Sequence, residues 1–314
     1  MQNNMKTVKA FAPATVANVS CGFDVLGFAV EEPGDEVSVS LNDSAEVTIE
    51  IIGDGGCLPT DPAKNTATVA VHALLRVLNK KHGVAVELRK ILPLGSGMGS
   101  SAASAVAALV AVNHLLGEPF SRKELLPFAM EAERVACGSA HADNVAPSLL
   151  GGFVLIRSYD PLDIIDIPVP SDLFCTLVHP GLELKTQDSR LVLRQQIPLR
   201  DAVTQWGNIA GLITGLMKPD YDLIGRSLTD VVAEPARSVL IPGFSEVKQK
   251  AIECGALGAG ISGSGPTIFA LSTGKQIATR VGEVVKQIFA KYGLKSEVYL
   301  SKVNTQGARI ISSL

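Results

Sequence analysis

Between Pro93 and Gly117 the chain reads PLGSGMGSSAASAVAALVAVNHLLG. Glycines alternate at 95, 97 and 99, serines follow at 100 and 101, and an alanine-rich helical run begins at once. Glycine tolerates positive φ and lets a ligand come close to the backbone. Successive N–H groups at a helix N-terminus bind anions, and the helix dipole adds to the attraction. Serine hydroxyls at such a turn can bond phosphate or reach a magnesium ion. The stretch reads as a phosphate cradle or, more blandly, as a tight turn with Ser100 as an ordinary N-cap. No Gly-Lys-Ser/Thr follows at the required spacing, so it is not a Walker A motif.

Upstream, Val37, Val39 and Leu41 alternate with polar residues, as do Val47, Ile49 and Ile51, and Val84, Val86 and Leu88. Period-two alternation predicts strands with one buried face. Ala67, Ala70, Val71, Leu74, Leu75 and Leu78 follow helical spacing, with Gly83 placed to end that helix. Downstream, Ser121 and Glu124 form a capping-box pattern before an apolar stripe of Leu125, Phe128, Ala129, Ala132, Val135 and Ala136. After Gly151–Gly152 come the strand-like runs VLIRS, DIIDIPV and LFCTLVHP, then helices near Leu199–Leu216 and Phe244–Cys254. A helix around Gln276–Tyr292 and a strand at Glu297–Val303 close the chain. Strands and helices do not alternate strictly, which favours an α+β fold over a doubly wound parallel sheet. The chain has 314 residues, enough for two domains, and the boundary is expected near Gly152–Asp160, dividing residues 1–155 from 156–314.

Hydrophobic residues make up 46% and charged residues 19%, a globular composition with ample core. A net charge of −3 and no basic face argue against nucleic acid and leave small metabolites as partners. Cys21, Cys57, Cys137, Cys175 and Cys254 are odd in number and scattered without metal-ligand spacing, as expected of reduced thiols. The N-terminal MQNNMKTVKAFAP lacks the apolar run of a signal peptide. The most apolar stretch, Ala102–Val112, is too short to span a bilayer and reads as a buried helix. A soluble, cytoplasmic protein with no membrane partner is expected.

A second glycine-rich stretch, GALGAGISGSGPTIFAL, runs from Gly255 to Leu271. Gly258, Gly260 and Gly263 match G-x-G-x-x-G, but a helix precedes them and Pro266 and a strand follow. A dinucleotide site needs the reverse order, so these glycines are better read as packing against the first loop. With both stretches in hand, the chain resembles the GHMP kinases. PLGSGMGSSAA is similar to their phosphate loop, with Met98 where leucine is usual, and GISGSGPTIFAL is similar to their C-terminal glycine motif. PATVANVSCGFDVLGFAV, HADNVAPSLLGGF, HPGLELKTQDSR and EPARSVLIPGF resemble blocks of the homoserine-kinase branch of that family.

The resemblance implies an N-terminal α+β domain carrying the phosphate loop and a ferredoxin-like C-terminal domain. It implies transfer of a phosphoryl group from ATP, with Mg²⁺, to L-homoserine, a step toward threonine; family members are often homodimers. Pro93, Leu94, Gly95, Ser96, Gly97, Met98, Gly99, Ser100, Ser101 and Ala102 would then hold the triphosphate, and Asn65 would contact adenine. Ser101 and Glu133 are the expected metal ligands, with Ser100 and Glu131 as rivals. The substrate carboxylate calls for the bidentate fork of arginine, and Arg190 and Arg237 match the family positions. Asp24 and Asn18 suit the ammonium group, and His141 would line the pocket. Two readings of the proton transfer stay open. In the homoserine-kinase pattern Asn144 positions the hydroxyl and Asp143 is structural. In relatives such as the mevalonate kinases an aspartate aligned with Asp143 takes the proton. A non-enzymatic ligand-binding protein and a kinase for another alcohol are the rival functions.

Overall fold

The computed structural model describes residues 6–42, 44–79, 83–138 and 140–313, and the side chains of Ala136 and Cys137 lie outside the described set, as does the start of the chain before Lys6. In chain order the strands and helices are β1 (Thr7–Ala17), β2 (Leu26–Asn42), β3 (Val47–Ile52), α1 (Thr66–Val77), β4 (Gly83–Arg89), α2 (Ser100–Leu115), α3 (Leu126–Cys137), α4 (Val145–Leu150), β5 (Phe153–Tyr159) and β6 (Leu162–Ile167). They continue with β7 (Leu173–Pro180), α5 (Thr186–Leu191), α6 (Leu199–Met217), α7 (Tyr221–Ser227), α8 (Glu234–Arg237), α9 (Phe244–Glu253), β8 (Gly258–Ile261), β9 (Ile268–Thr273), α10 (Lys275–Lys291), β10 (Ser296–Lys302) and β11 (Arg309–Ser313).

Among the described residues the strands form two sheets. The first runs β11-β1-β2-β4-β3, with β5 paired to the opening residues of β2 and β6 paired to β5. The alternating valines of β2 and β4 turn inward: Val37, Val39, Val84, Val86 and Leu88 are all buried. β3 and β4 are parallel, joined through α1, and the other pairs are antiparallel. The second sheet runs β10-β7-β9-β8, all antiparallel, with α9 and α10 packed on it. That order, with β8 and β9 as a hairpin between helices, is the expected ferredoxin-like arrangement.

The alanine-rich helix α2 is buried from Ala102 through Asn113 and packs against α1, α3, β1 and β2. Small side chains on every face let those neighbours approach closely, which no single apolar stripe could do. The sheets meet where Phe28 of β2 stacks on Phe153 of β5, with ring centroids 5.3 Å apart, and takes the edge of Phe269 of β9 at 6.5 Å.

Three expectations change. Gly83 does not end α1, which closes at Val77 with the Leu78 N–H bonded to the Leu74 carbonyl. Gly83 instead opens β4, where a Cβ would fall 1.7 Å from Asn42 Oδ1 and the Ser44 carbonyl. Val135, placed on the apolar stripe of α3, is 40% exposed, because that end of the helix borders a cleft instead of the core. The division at 155/156 falls inside β5: the first sheet continues to Ile167, and β11 returns to it from the far end of the chain. The capping box forms, with Ser121 N and Oγ both donating to Glu124 Oε2 at 2.7 Å. Among the described residues no helix is long and apolar enough to cross a membrane.

Truncating Phe28 to alanine removes the ring that touches both sheets. Urea unfolding of Phe28→Ala is expected to show a loss of about 3–5 kcal/mol, as for other buried aromatics.

Candidate active site

The loop before α2 is held by its carbonyl oxygens. Gly95 O accepts from Leu184 N at 3.2 Å, Ser96 O from Thr267 N at 3.2 Å, and Met98 O from Thr15 N at 3.0 Å. Gly97 O accepts from Ser262 Oγ at 2.8 Å, Gly99 O from Ala103 N at 2.9 Å, and Ser100 O from Lys90 Nζ at 2.7 Å. A chain whose carbonyls are all taken on one side presents N–H groups on the other, and the first N–H groups of α2 have no intrahelical acceptor. Left-handed φ at Gly95 (58°), Gly97 (78°) and Gly99 (67°) produces the winding. A Cβ on Gly97 would lie 2.4 Å from Ser262 O, and one on Gly99 would lie 2.0 Å from Thr15 Oγ1. The second glycine stretch therefore touches the first through backbone, and Gly258–Ile261 is a strand with no nucleotide-binding helix after it.

This loop forms one wall of a cleft of about 520 Å³, within the range of small-molecule sites. Leu94, Gly95, Ser96, Gly97, Gly99, Ser100 and Ser101 line it, while Met98 is fully buried in the core and Pro93 and Ala102 lie outside the lining. Asn65 borders the cleft beside Leu58 and Pro59, but its side chain is engaged: Oδ1 caps α1 through Ala67 N and Nδ2 donates to Pro59 O, both at 3.0 Å. Ser101 Oγ donates to Glu133 Oε1 at 2.6 Å, with Glu133 only 6% exposed. Burial raises the Glu133 carboxyl, against the opposing pull of the Ser101 bond and the Lys90 charge. Glu131, the rival carboxylate, pairs with Arg134 on the outer face at 2.6 Å.

At the other end of the cleft the expected substrate residues come together. Asn18, Val19 and Ser20 all have left-handed φ, at 69°, 40° and 60°, and Asp24 follows at 58°. Such backbone costs of order 1–3 kcal/mol per residue and persists where the surroundings over-determine it. Here Asn18 Oδ1 accepts from Asp24 N at 2.9 Å and its Nδ2 donates to Gly263 O at 2.7 Å. The turn presents Asp24 to Arg190, whose Nη2 donates to Asp24 Oδ1 at 3.0 Å. Arg237 is tied to Ser189 O and Gly263 O. Burial first and the charge of Arg190 second lower its pKa. Both guanidiniums lie over the Phe23 ring, at 5.9 and 5.1 Å.

His141 Nδ1 sits 3.8 Å from Asp24 Oδ2. His141 Nε2 and Arg190 Nε are buried without a hydrogen-bond partner among the described residues, as atoms awaiting a ligand would be. Between the two ends lie Asp143 and Asn144. Asn144 Oδ1 accepts from Thr15 Oγ1 at 2.7 Å, so its amide N–H groups are left for another acceptor. Asp143 is 4% exposed, and burial, then the carboxylates of Asp24 and Glu133, push it up to about 7.

Sequence reasoning missed Phe23, Thr15, Lys90 and Tyr159. Tyr159 OH donates to Asp24 O at 2.8 Å and accepts from Ala142 N, tying two walls of the substrate end. An aromatic one strand away from a motif carries no local signal. Phe23 and Thr15 lay inside a quoted motif, Phe23 as the neighbour of Asp24.

Comparison with known proteins agrees with this geometry. Residues 65–152 match the GHMP kinases N terminal domain and residues 212–291 the GHMP kinases C terminal domain. A homoserine kinase of Chlorobium phaeobacteroides is 57% identical, covering 98% of this chain and all of that protein. One from Chlorobaculum tepidum is 56% identical over 98% of this chain and 99% of its own length. A crystal structure of homoserine kinase from Cytophaga hutchinsonii superposes with a TM-score of 0.96 at 56% identity, covering 99% of each chain. The chain belongs to the GHMP kinase family.

Gly97→Ala tests the cradle. Left-handed φ alone costs an alanine about 1–2 kcal/mol, and here the methyl also meets Ser262 O. ADP affinity, read by titration calorimetry, is expected to fall by tenfold or more, on the order of that strain. Gly117→Ala carries a similar φ of 84° with nothing within 4 Å, and should leave binding unchanged.

Proposed function

We propose that this protein transfers the terminal phosphoryl group of ATP to the side-chain hydroxyl of L-homoserine, giving ADP and O-phospho-L-homoserine. The observation that carries this is the Arg190–Asp24 pair at the far end of a cleft that begins at an anion cradle. An amino acid bears both charges of that pair. Its carboxylate replaces Asp24 on Arg190, with Arg237 beside it, and its ammonium replaces Arg190 on Asp24. A ligand lacking either charge breaks the pair without restoring it. The names of the relatives, homoserine kinases at 56–57% identity over nearly the whole chain, support the same substrate.

Phosphoryl transfer needs positioning and charge neutralisation more than covalent help. The loop N–H groups bind the phosphates, and Asn144, its oxygen held by Thr15, donates toward the oxygens that exchange the phosphoryl group. The buried Ser101–Glu133 pair offers the hard oxygens that Mg²⁺ takes together with phosphate oxygens and water. Among the described residues no cluster of three carboxylate, histidine or cysteine side chains competes for it. Bound there, Mg²⁺ would neutralise charge on the transferred group. Asp143, poised near neutral pH in the same cleft, takes the hydroxyl proton, the second of the two readings left open by the sequence. A kinase supplied by ATP and carrying free thiols at Cys21, Cys57, Cys175 and Cys254 suits the cytoplasm.

The first test is ADP release with Mg²⁺–ATP and a panel of alcohols. L-homoserine is expected to be turned over, and mevalonate and galactose not. Both 4-hydroxybutyrate and 3-aminopropan-1-ol, each missing one charge, should lose roughly 100-fold in kcat/KM, the worth of a charged hydrogen bond of about 1.5–3 kcal/mol. Equal use of the amino acid and the hydroxy acid would remove Asp24 from the recognition.

Asp143 makes a second prediction. A base must be ionised, so kcat should rise with pH through about 7. Asp143→Asn should lose ~10²–10⁴-fold and the pH limb with it. The raised pKa also means that stability is lost as pH climbs from the ordinary carboxylate range, about 4, to about 7, and that the deficit is constant above it. Thermal unfolding should then find Asp143→Asn more stable than the wild type at pH 8, with the gap closing toward pH 4.

A further inference from the structure

Beneath the first turn of α2 lies a charged group that the phosphate-loop motif does not contain. Lys90, in the segment after β4, has a side chain 3% exposed. Its ammonium donates to Asp35 Oδ2 at 2.5 Å, to Ser100 O at 2.7 Å and to Ser104 Oγ at 2.9 Å, which uses all three protons. Asp35 is fully buried on β2, and its other oxygen accepts from Ile91 N and Leu92 N at 2.9 Å. The pair is oriented: Lys90 and Ser104 line the cleft, and Asp35 does not.

That orientation is costly on its own. The N-terminus of a helix is the positive end of its dipole, and a cation there is repelled unless an anion lies across from it. Asp35 supplies one anion from behind, leaving the positive face toward the cleft. Among the described residues that line the cleft, the other cations are placed elsewhere. Lys64 is 73% exposed and pairs with Asp61, while Arg190 and Arg237 sit over Phe23 at the substrate end. The cation touching α2 is Lys90, and Ser100 O is the last carbonyl in the tethered series of the loop.

We propose that Lys90, aimed by Asp35 and Ser104, is a positioning residue that fixes the first turn of α2 and gives the cradle a positive charge, so that nucleotide affinity gains with each added phosphate. This rests on the reading of the loop as the ATP site.

The test is direct binding of AMP, ADP and the non-hydrolysable β,γ-imido analogue of ATP, by titration calorimetry at fixed ionic strength. The variants are Lys90→Met, Lys90→Arg and the double variant Asp35→Leu/Lys90→Met. A charge several ångströms from the phosphates, at an effective dielectric near 20, is worth about tenfold. In Lys90→Met, ADP and the ATP analogue should lose about tenfold or more while AMP changes little, and Lys90→Arg should recover much of the difference. If Lys90→Met leaves Asp35 uncompensated and fails to fold, the double variant replaces it, because a buried pair exchanged for apolar side chains usually keeps the fold. An equal loss for AMP and ADP, no loss at all, or failure of both apolar variants to fold would overturn the proposal and leave Lys90 as a brace. A wild-type protein that binds none of these nucleotides would instead sink the ATP reading itself.

Discussion

The tethering of the loop carbonyls from Gly95 to Ser100 is the constraint on which the rest of the site depends. A glycine-rich loop is flexible by composition, and flexibility is the wrong property for an anion site. Its N–H groups must already converge before a phosphate arrives, or binding bears the full entropy of ordering them. The donors come from β1, the first turn of α2 itself, the segment before α5, the second glycine stretch and Lys90. The loop is therefore rigid only when both sheets and the long connection from β7 to β8 are assembled.

The same contacts couple the two ends of the cleft. Gly263 accepts from Asn18 and Arg237 at the substrate end, while neighbouring Ser262 and Gly265 pack on Gly97 at the phosphate end. The strained turn at 18–20 is held by that shared backbone, and it aims Asp24 at Arg190. Between the ends sits an unusual density of buried charge: Asp143, Glu133, Lys90 and Asp35, with Arg237 beside them. Burying so many ionisable groups costs stability unless each is paired or bonded. Lys90 and Asp35 are saturated by each other and by backbone. Asp143 is not, and its raised pKa records that deficit. An incompletely compensated carboxyl in a cleft is where proton transfer is most readily placed.

The fold class, the strands β2 to β6 of the first sheet and the helices α1, α2, α6, α9 and α10 were legible because their signals are local, whereas β1 and β11 were not read. Alternation in Val37–Leu41 and Val84–Leu88 reports a strand with one wet face, and Gly95, Gly97 and Gly99 report a backbone that needs left-handed φ. The short helices α5, α7 and α8 were not legible. Helices of one or two turns lack the length for a periodic pattern and stand here on tertiary contacts, as Arg237 of α8 does on Ser189 O and Gly263 O. Gly83 was misread because a glycine after a helical run is usually a cap, and the close approach of Asn42 is invisible in one dimension.

By itself, then, the sequence determined the glycine-rich loop ahead of α2 and the α+β class, since each is written in spacing within a few residues. Only the tertiary structure decided which atoms those residues present. It turned Asn144 Oδ1 to Thr15, engaged Asn65 in capping α1, and set Glu133 rather than Glu131 beside Ser101. It also joined Lys90 to Asp35 across 55 positions of chain. These choices depend on hydrogen-bond partners distant in sequence, and a donor finds its acceptor only after the chain has folded around both.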